Sequence, residues 1–293
     1  MMTAEEYYRE IQRIPPLSSG DPTLDRLLDG GFLKASTNLI TGPPHLTSMI
    51  LMNTAVNALK PRVEGGQEFE KIVYIDGENL FNPYYVSKVA VSNQLNPLTV
   101  LDQIAVARAF TWNQMVELVE EKLPDLEAVD LILIAGMTAM FEDAANDTSR
   151  SHPNNHLSPN ERTTAAKKAE PVFRLNTRTF HDLQHMIDGI KKHAAQHSPT
   201  VVLTGPTHSK SENRPVGGNI LAHYANIIIG IHDYPRFYRY RLEQHPFLSY
   251  REERFWKPWE ETASPAIKRR NGKNCHNLTL DFFLATQKTA GGT

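Results

Sequence analysis

Short apolar runs recur along this chain, each bounded by turn residues and separated by stretches with helical spacing. Thr37 to Thr41, Lys71 to Asp76, Ile104 to Ala107, Leu131 to Ile134 and Thr200 to Thr204 are each too short for a helix and read as strands, and Lys71 to Asp76 and Leu131 to Ile134 are nearly continuous in apolar character. Runs of this kind read as strands covered on both faces. Ile227 to Ile231 and Phe237 to Leu242 read as further strands. Between them the spacing predicts helices over Thr23 to Leu28, stopped by Gly30-Gly31, and over a segment carrying Ile50, Leu51, Val56 and Leu59 up to Pro61. Tyr85 to Ser92, Trp112 to Lys122 (with Met115, Val116 and Val119 on one face), Thr177 to His197 and a short stretch from Asn219 are also helical. Strands alternating with helices predict an α/β fold, a mostly parallel twisted sheet with helices on both faces.

The pattern breaks twice. From Glu142 to Asn176 the chain is rich in Asn, Ser, Pro, Thr, Lys and Arg, and from Gly205 to Arg214 it is polar again. Polar segments of such length inside a compact domain are commonly functional or disordered. Residues 1–14 form a short lead, whose Tyr7, Tyr8 and Ile11 suit docking on a neighbouring core. The core spans 15–260. Residues 261–293 are a basic extension with Lys268-Arg269-Arg270 and a strand-like run, Leu278 to Leu284.

Bulk properties narrow the classes. A formal net charge of -2 removes a chain-wide electrostatic footprint for nucleic acid, so any such surface must be local. Cys275 is the single cysteine, which excludes an internal disulfide and a cysteine-built zinc site. The longest apolar stretch, Leu131 to Phe141, is too short to span a bilayer. The expectation is an intracellular protein with no membrane partner: cytoplasm or nucleoid in a prokaryote, nucleus in a eukaryote.

The candidate chemistry lies after the first strand, in Leu39-Ile40-Thr41-Gly42-Pro43-Pro44-His45-Leu46-Thr47-Ser48-Met49. Set against the phosphate-binding pattern G-x-x-x-x-G-K-[ST], Gly42 supplies the first Gly. Thr47 replaces the second, Ser48 the Lys and Met49 the Mg²⁺-binding hydroxyl. Other strings place this one in a frame. Leu17-Ser18-Ser19-Gly20 with Leu24 to Phe32, Tyr74-Ile75-Asp76-Gly77-Glu78, Asp102-Gln103-Ile104 with Ala107-Arg108-Ala109, and Pro215-Val216-Gly217-Gly218-Asn219 through His223 occur in that order. Together they resemble the RecA/RadA recombinase family, which is related to the KaiC-type ATPases, from about Pro16 to about Lys257.

The resemblance implies a RecA-like ATPase core, without the family's N-terminal helix-hairpin-helix domain. It also exposes departures. The family's second phosphate motif ends in Asp, and Ala135 stands there, so both Walker motifs are degenerate. Thr204-Gly205-Pro206 lacks the Gln that couples nucleotide to the DNA loops. Phosphoryl transfer rests on positioning and charge neutralisation by the missing groups. The residues therefore argue against ATP, Mg²⁺ and hydrolysis, with no catalytic residue and Glu78 vestigial. The degenerate nucleotide position is Gly42, Thr47, Ser48, Met49 and Ala135.

The two polar segments map onto the family's DNA loops. Arg162, Lys167, Lys168, Arg174 and Arg178 in or beside the first, and Lys210 and Arg214 in the second with Gly217, Gly218 and Asn219 behind it, are the candidate DNA contacts. Such cations neutralise phosphates without reading bases. The expected partners are single-stranded DNA and a RadA-type recombinase or another paralogue. The expected function is that of a catalytically inactive paralogue assisting homologous recombination and DNA repair. The alternative is a KaiC-like scaffold or regulator without a DNA role. His152 and His156, and His181 and His185, each lie four apart, but no third ligand is visible and no metal site is assigned.

Overall fold

The computed structural model describes residues 3, 13–64, 66–127, 129–141, 177–207 and 216–257. The lead 1–14 and the extension 261–293 lie almost wholly outside these. Among the described residues eight strands form one sheet: β1 (Thr37–Thr41), β2 (Ile72–Asp76), β3 (Ile104–Arg108), β4 (Leu131–Ala135), β5 (Thr200–Gly205), β6 (Ile227–Asp233), β7 (Phe237–Gln244) and β8 (Arg251–Trp256). Their order is β3-β2-β4-β5-β1-β6-β7-β8. Neighbours from β3 to β6 pair parallel, whereas β6, β7 and β8 pair antiparallel. The expected mostly parallel sheet is present. Every residue of β1, β2, β4 and β5 is buried, which is why β2 and β4 read as largely apolar runs.

Seven α-helices accompany the sheet among the described residues: α1 (Pro22–Leu27), α2 (Pro44–Ala58), α3 (Pro83–Ser92), α4 (Pro97–Asp102), α5 (Trp112–Val116), α6 (Thr177–His197) and α7 (Gly218–Tyr224). The cores lie on opposite faces. One joins Leu24, Leu27, Ile50, Leu51, Val86 and Val89 to the sheet, the other Met115, Val119, Leu183, Met186, Ile187 and Ile190. The last four keep the spacing of one buried helical stripe, so α6 sits where its pattern puts it.

Three features depart from the sequence reading. The helix over Trp112 to Lys122 is α-helical only to Val116 and continues as a π-helical turn, Glu117–Lys122. Helix α4 and strand β8 were absent from the pattern. Strand β8 alternates exposed charged positions with half-buried ones and closes the sheet as an edge, so it has no apolar run to reveal it.

The lead into β1 is bolted to the antiparallel wing. Asp21 caps α1, accepting from the N–H groups of Thr23 at 2.8 Å and Leu24 at 3.1 Å. It also accepts from the Tyr240 hydroxyl on β7 at 2.6 Å, with both residues buried. Tyr240→Phe should lower the unfolding free energy by about 1–3 kcal/mol in urea titrations, because the buried carboxylate loses a donor it cannot replace with water.

Candidate functional site

The segment Gly42 to Met49 lies at the C-terminal ends of the central strands. Sheet register sets β1 beside β5 and β6, so Thr41 faces Gly205 and Gly230. Gly42 leaves the sheet there, its N–H donating to the Gly205 carbonyl at 3.3 Å. A Cβ on Gly42 would stand 2.9 Å from Ile231 Cβ, so a bulkier residue has no room.

Beyond Gly42 the chain winds directly into helix. α2 begins at Pro44, with Pro43 as an extended N-cap. Neither proline carries an N–H. The amides of Leu46 and Thr47 both donate to the Pro43 carbonyl, at 3.1 and 3.0 Å. A phosphate-binding nest needs successive N–H groups turned toward an anion. Here these two close the first helical turn instead. The Thr47 hydroxyl donates back to the carbonyls of Pro43 at 3.3 Å and Pro44 at 3.1 Å. Thr47 and Ser48 are each 1% exposed, and Met49 belongs to the apolar core.

The Ser48 hydroxyl donates to Glu78 Oε2 at 3.0 Å, which brings together two residues thirty positions apart. Glu78 lies just past β2, and its side chain folds over the end of β4. Ala135 is fully buried there, and Gly136 adopts a φ of +63°. A Cβ on Gly136 would lie 2.3 Å from Glu78 Cγ, so the glycine makes the space that the carboxylate arm uses. Burial raises the Glu78 carboxyl to about 7; the Ser48 hydrogen bond works against the rise and the nearby Asp76 charge adds to it. No salt bridge from a cationic side chain reaches it among the described residues.

Asp76 builds the turn that carries Glu78. It is fully buried, and its carboxylate accepts from the N–H groups of Glu78 at 3.3 Å, Leu80 at 3.2 Å and Phe81 at 2.9 Å. Arg108 on β3 approaches it at 3.6 Å and donates to the Phe81 carbonyl at 3.2 Å. Sequence reasoning missed Asp76, Arg108 and Gly136 as parts of this site. The Asp at the strand end before Gly-Glu was the available signal.

The roots of the two polar segments meet beside this position. Phe141, the last described residue before the first segment, packs edge-on against Trp112 and against Phe180 of α6. Val216 N–H donates to the Pro206 carbonyl at 3.1 Å across the base of the second. Thr138 contacts both sides, since Cβ atoms on Gly205 and Gly217 would lie 2.9 and 3.3 Å from it. Gly217, with φ +97°, is the N-cap of α7, and Gly218 and Asn219 open that helix. Arg162, Lys167, Lys168, Arg174, Lys210 and Arg214 lie outside the described residues, as does the side chain of Arg178 in the first turn of α6. An open groove runs alongside, between Gly42-Pro43-Pro44, Pro206-Thr207 and Ile231 to Tyr234.

A parallel sheet of this order, with a glycine turn and helix after β1 and polar segments rooted at the ends of β4 and β5, defines an α/β protein with a RecA-like core. A sequence model of the Rad51 family matches residues 10–153. The chain is similar to the DNA repair and recombination protein RadA of Cenarchaeum symbiosum, 27% identical over 75% of this chain and 51% of that protein. It is also similar to the DNA repair protein rhp51 of Schizosaccharomyces pombe, 28% identical over 75% of this chain and 56% of the relative. The meiotic recombination protein DMC1 of Saccharomyces cerevisiae is 27% identical over 72% and 60%. The family-model match and these relatives support membership of the RecA/RadA recombinase family. It spans about half to three-fifths of the length of these relatives.

Proposed function

We propose that this chain is a recombinase paralogue that has given up nucleotide chemistry and works through its surfaces. It binds single-stranded DNA, an active recombinase, or both, and so assists homologous recombination and DNA repair. The observation that carries the first half is the Ser48–Glu78 contact. Where the family places a Lys and a metal-bound phosphate, this chain has a buried hydroxyl bonded to a half-buried carboxyl, beside an α2 first turn whose Leu46 and Thr47 amides are already paired. A triphosphate entering there would meet a carboxylate rather than a cation. The second half rests on family membership, on relatives whose names state DNA repair and recombination, and on polar segments rooted together at the strand ends.

Two titrations test the halves separately. A ligand at ~100 times its Kd stabilises by about 2.7 kcal/mol, several degrees of melting temperature for a domain of this size. ATP with Mg²⁺ at millimolar concentration is expected to leave the melting temperature unchanged, and a rise of several degrees would reinstate a nucleotide site. Single-stranded DNA is expected to bind with an affinity that falls steeply with salt. Lys210→Glu with Arg214→Glu should flatten the slope of log K against log salt by about 0.7 per lost phosphate contact. Absence of binding at low salt, or a slope indifferent to the substitutions, would favour the scaffold without a DNA role.

A further inference from the structure

Away from the nucleotide position, two imidazoles converge on α6. His181 and His185 stand one turn apart, and their Nε2 atoms are 3.2 Å from each other. The rings are tilted by 46° with centroids 4.2 Å apart. His185 Nδ1 meets Glu120 Oε1 at 3.0 Å. The carboxylate accepts the Nδ1 proton, so His185 Nε2 is unprotonated and accepts a hydrogen bond from the His181 Nε2–H; an ion would displace that proton and splay the two rings slightly.

The fold goes to some length to place Glu120 there. Glu120 lies on the π-helical turn Glu117–Lys122, and π turns inside helices are frequent at functional sites. The turn presses against α6 at Gly189, where a Cβ would stand 2.7 Å from the Val119 carbonyl and 3.1 Å from Glu120 Cα. An alanine at 189 would push the turn away and withdraw the carboxylate. A π turn, a glycine contact and a helical histidine pair therefore produce one arrangement.

That arrangement has the dimensions of a metal site. Two nitrogens each ~2.05 Å from one ion are about 2.9 Å apart at a right angle and about 3.35 Å apart at the tetrahedral angle. The observed separation lies between these values. A ligating imidazole whose other nitrogen donates to a carboxylate is the usual outer-shell support of such ions. We propose that His181 and His185 bind a divalent transition cation such as Zn²⁺, Ni²⁺ or Cu²⁺ through Nε2, with Glu120 as the positioning residue. His181 then carries its proton on Nδ1. The described residues hold no cluster of three potential ligands, so water completes the shell and the site stays open on one side. Imidazole donors favour these borderline ions over Mg²⁺ or Ca²⁺.

Isothermal titration of tag-free, full-length protein with Cu²⁺, Ni²⁺, Zn²⁺ and Mg²⁺ tests this. The expected result is one equivalent bound, Cu²⁺ tightest and Mg²⁺ not detected. His181→Ala and His185→Ala should each weaken binding more than tenfold. Glu120→Gln should cost at least about tenfold while leaving both ligands in place. In the Cu²⁺ complex, electron paramagnetic resonance should show two imidazole nitrogens in the wild type and one in each His→Ala variant. His197→Ala, at the end of the same helix and outside the triad, should change nothing. Retention of wild-type affinity and of both nitrogens in His181→Ala and His185→Ala would overturn the proposal, as would equal binding of Mg²⁺.

Discussion

Asp76→Ala is expected to lower the stability of the protein by about 3–4 kcal/mol, among the larger costs a single polar truncation carries. The fully buried carboxylate accepts three backbone N–H groups in succession, those of Glu78, Leu80 and Phe81. A hydrogen bond to a charged group contributes about 1.5–3 kcal/mol, and a buried amide left without a partner costs its full desolvation. The total stays well below three times that range because the Glu78 and Leu80 contacts are only partly buried and water can return to them. The Phe81 contact is buried, so its amide is the true orphan. Arg108 adds little, since its side chain is 42% exposed and rehydrates. Asp76→Asn should recover about half of the loss, because one acceptor oxygen survives while the new NH₂ group faces either an amide or the guanidinium. Urea denaturation gives the free energy, and hydrogen exchange at the Phe81 amide reports the site. A loss under about 1 kcal/mol for the alanine variant would mean that the turn holds itself.

This turn shows where the sequence was informative and where it was silent. Strands β2 and β4 were legible because each is covered on both faces and carries an apolar run, whereas β1 and β5 are as deeply buried yet hold polar residues that find partners inside, as when Asn38 Nδ2 donates to the Val201 carbonyl at 3.0 Å. Strand β8 was not, because an edge strand tolerates Arg251, Glu252, Glu253 and Arg254 and pairs them with β7 through backbone bonds that no side-chain pattern records. The departures at Ser48, Met49 and Ala135 were visible by comparison with the phosphate-binding pattern. Their consequence was not, since nothing in a linear pattern says that the Ser48 hydroxyl reaches Glu78, or that Gly136 takes a positive φ to let the carboxylate pass. The π-helical turn was hidden for a related reason. Glu117 to Lys122 continues an amphipathic spacing, and the close approach of this turn to Gly189, on another helix, is out of reach of a linear pattern.

Glu78→Gln is expected to stabilise the protein above neutral pH and to leave it unchanged near pH 4. The Glu78 carboxyl is raised from 4.5 to about 7, chiefly by burial. The native state therefore holds this proton more tightly than the unfolded chain does. Its contribution is fully present below the unfolded pKa and is lost as pH rises through about 4.5 to 7, above which the folded protein keeps a half-buried carboxylate with no ion-pair partner among the described residues. A shift of this size corresponds to roughly 3 kcal/mol. Glutamine keeps a partner for Ser48 and never ionises, so the advantage of the variant should grow across that window and plateau by about pH 8. The difference between variant and wild type is the quantity to track, because Asp25, raised to about 6 by burial, titrates in the same range in both proteins. Ser48→Ala should act in the opposite sense at high pH, since it removes the hydroxyl that steadies the carboxylate. A difference independent of pH would show that Glu78 is not titrating as a buried group. The result also bears on function. A working water-activating base is commonly retained at a cost in stability, and its loss then costs activity. If Glu78 is a remnant, the glutamine variant gains its stability while the proposed DNA binding and any effect on a recombinase stay as they were.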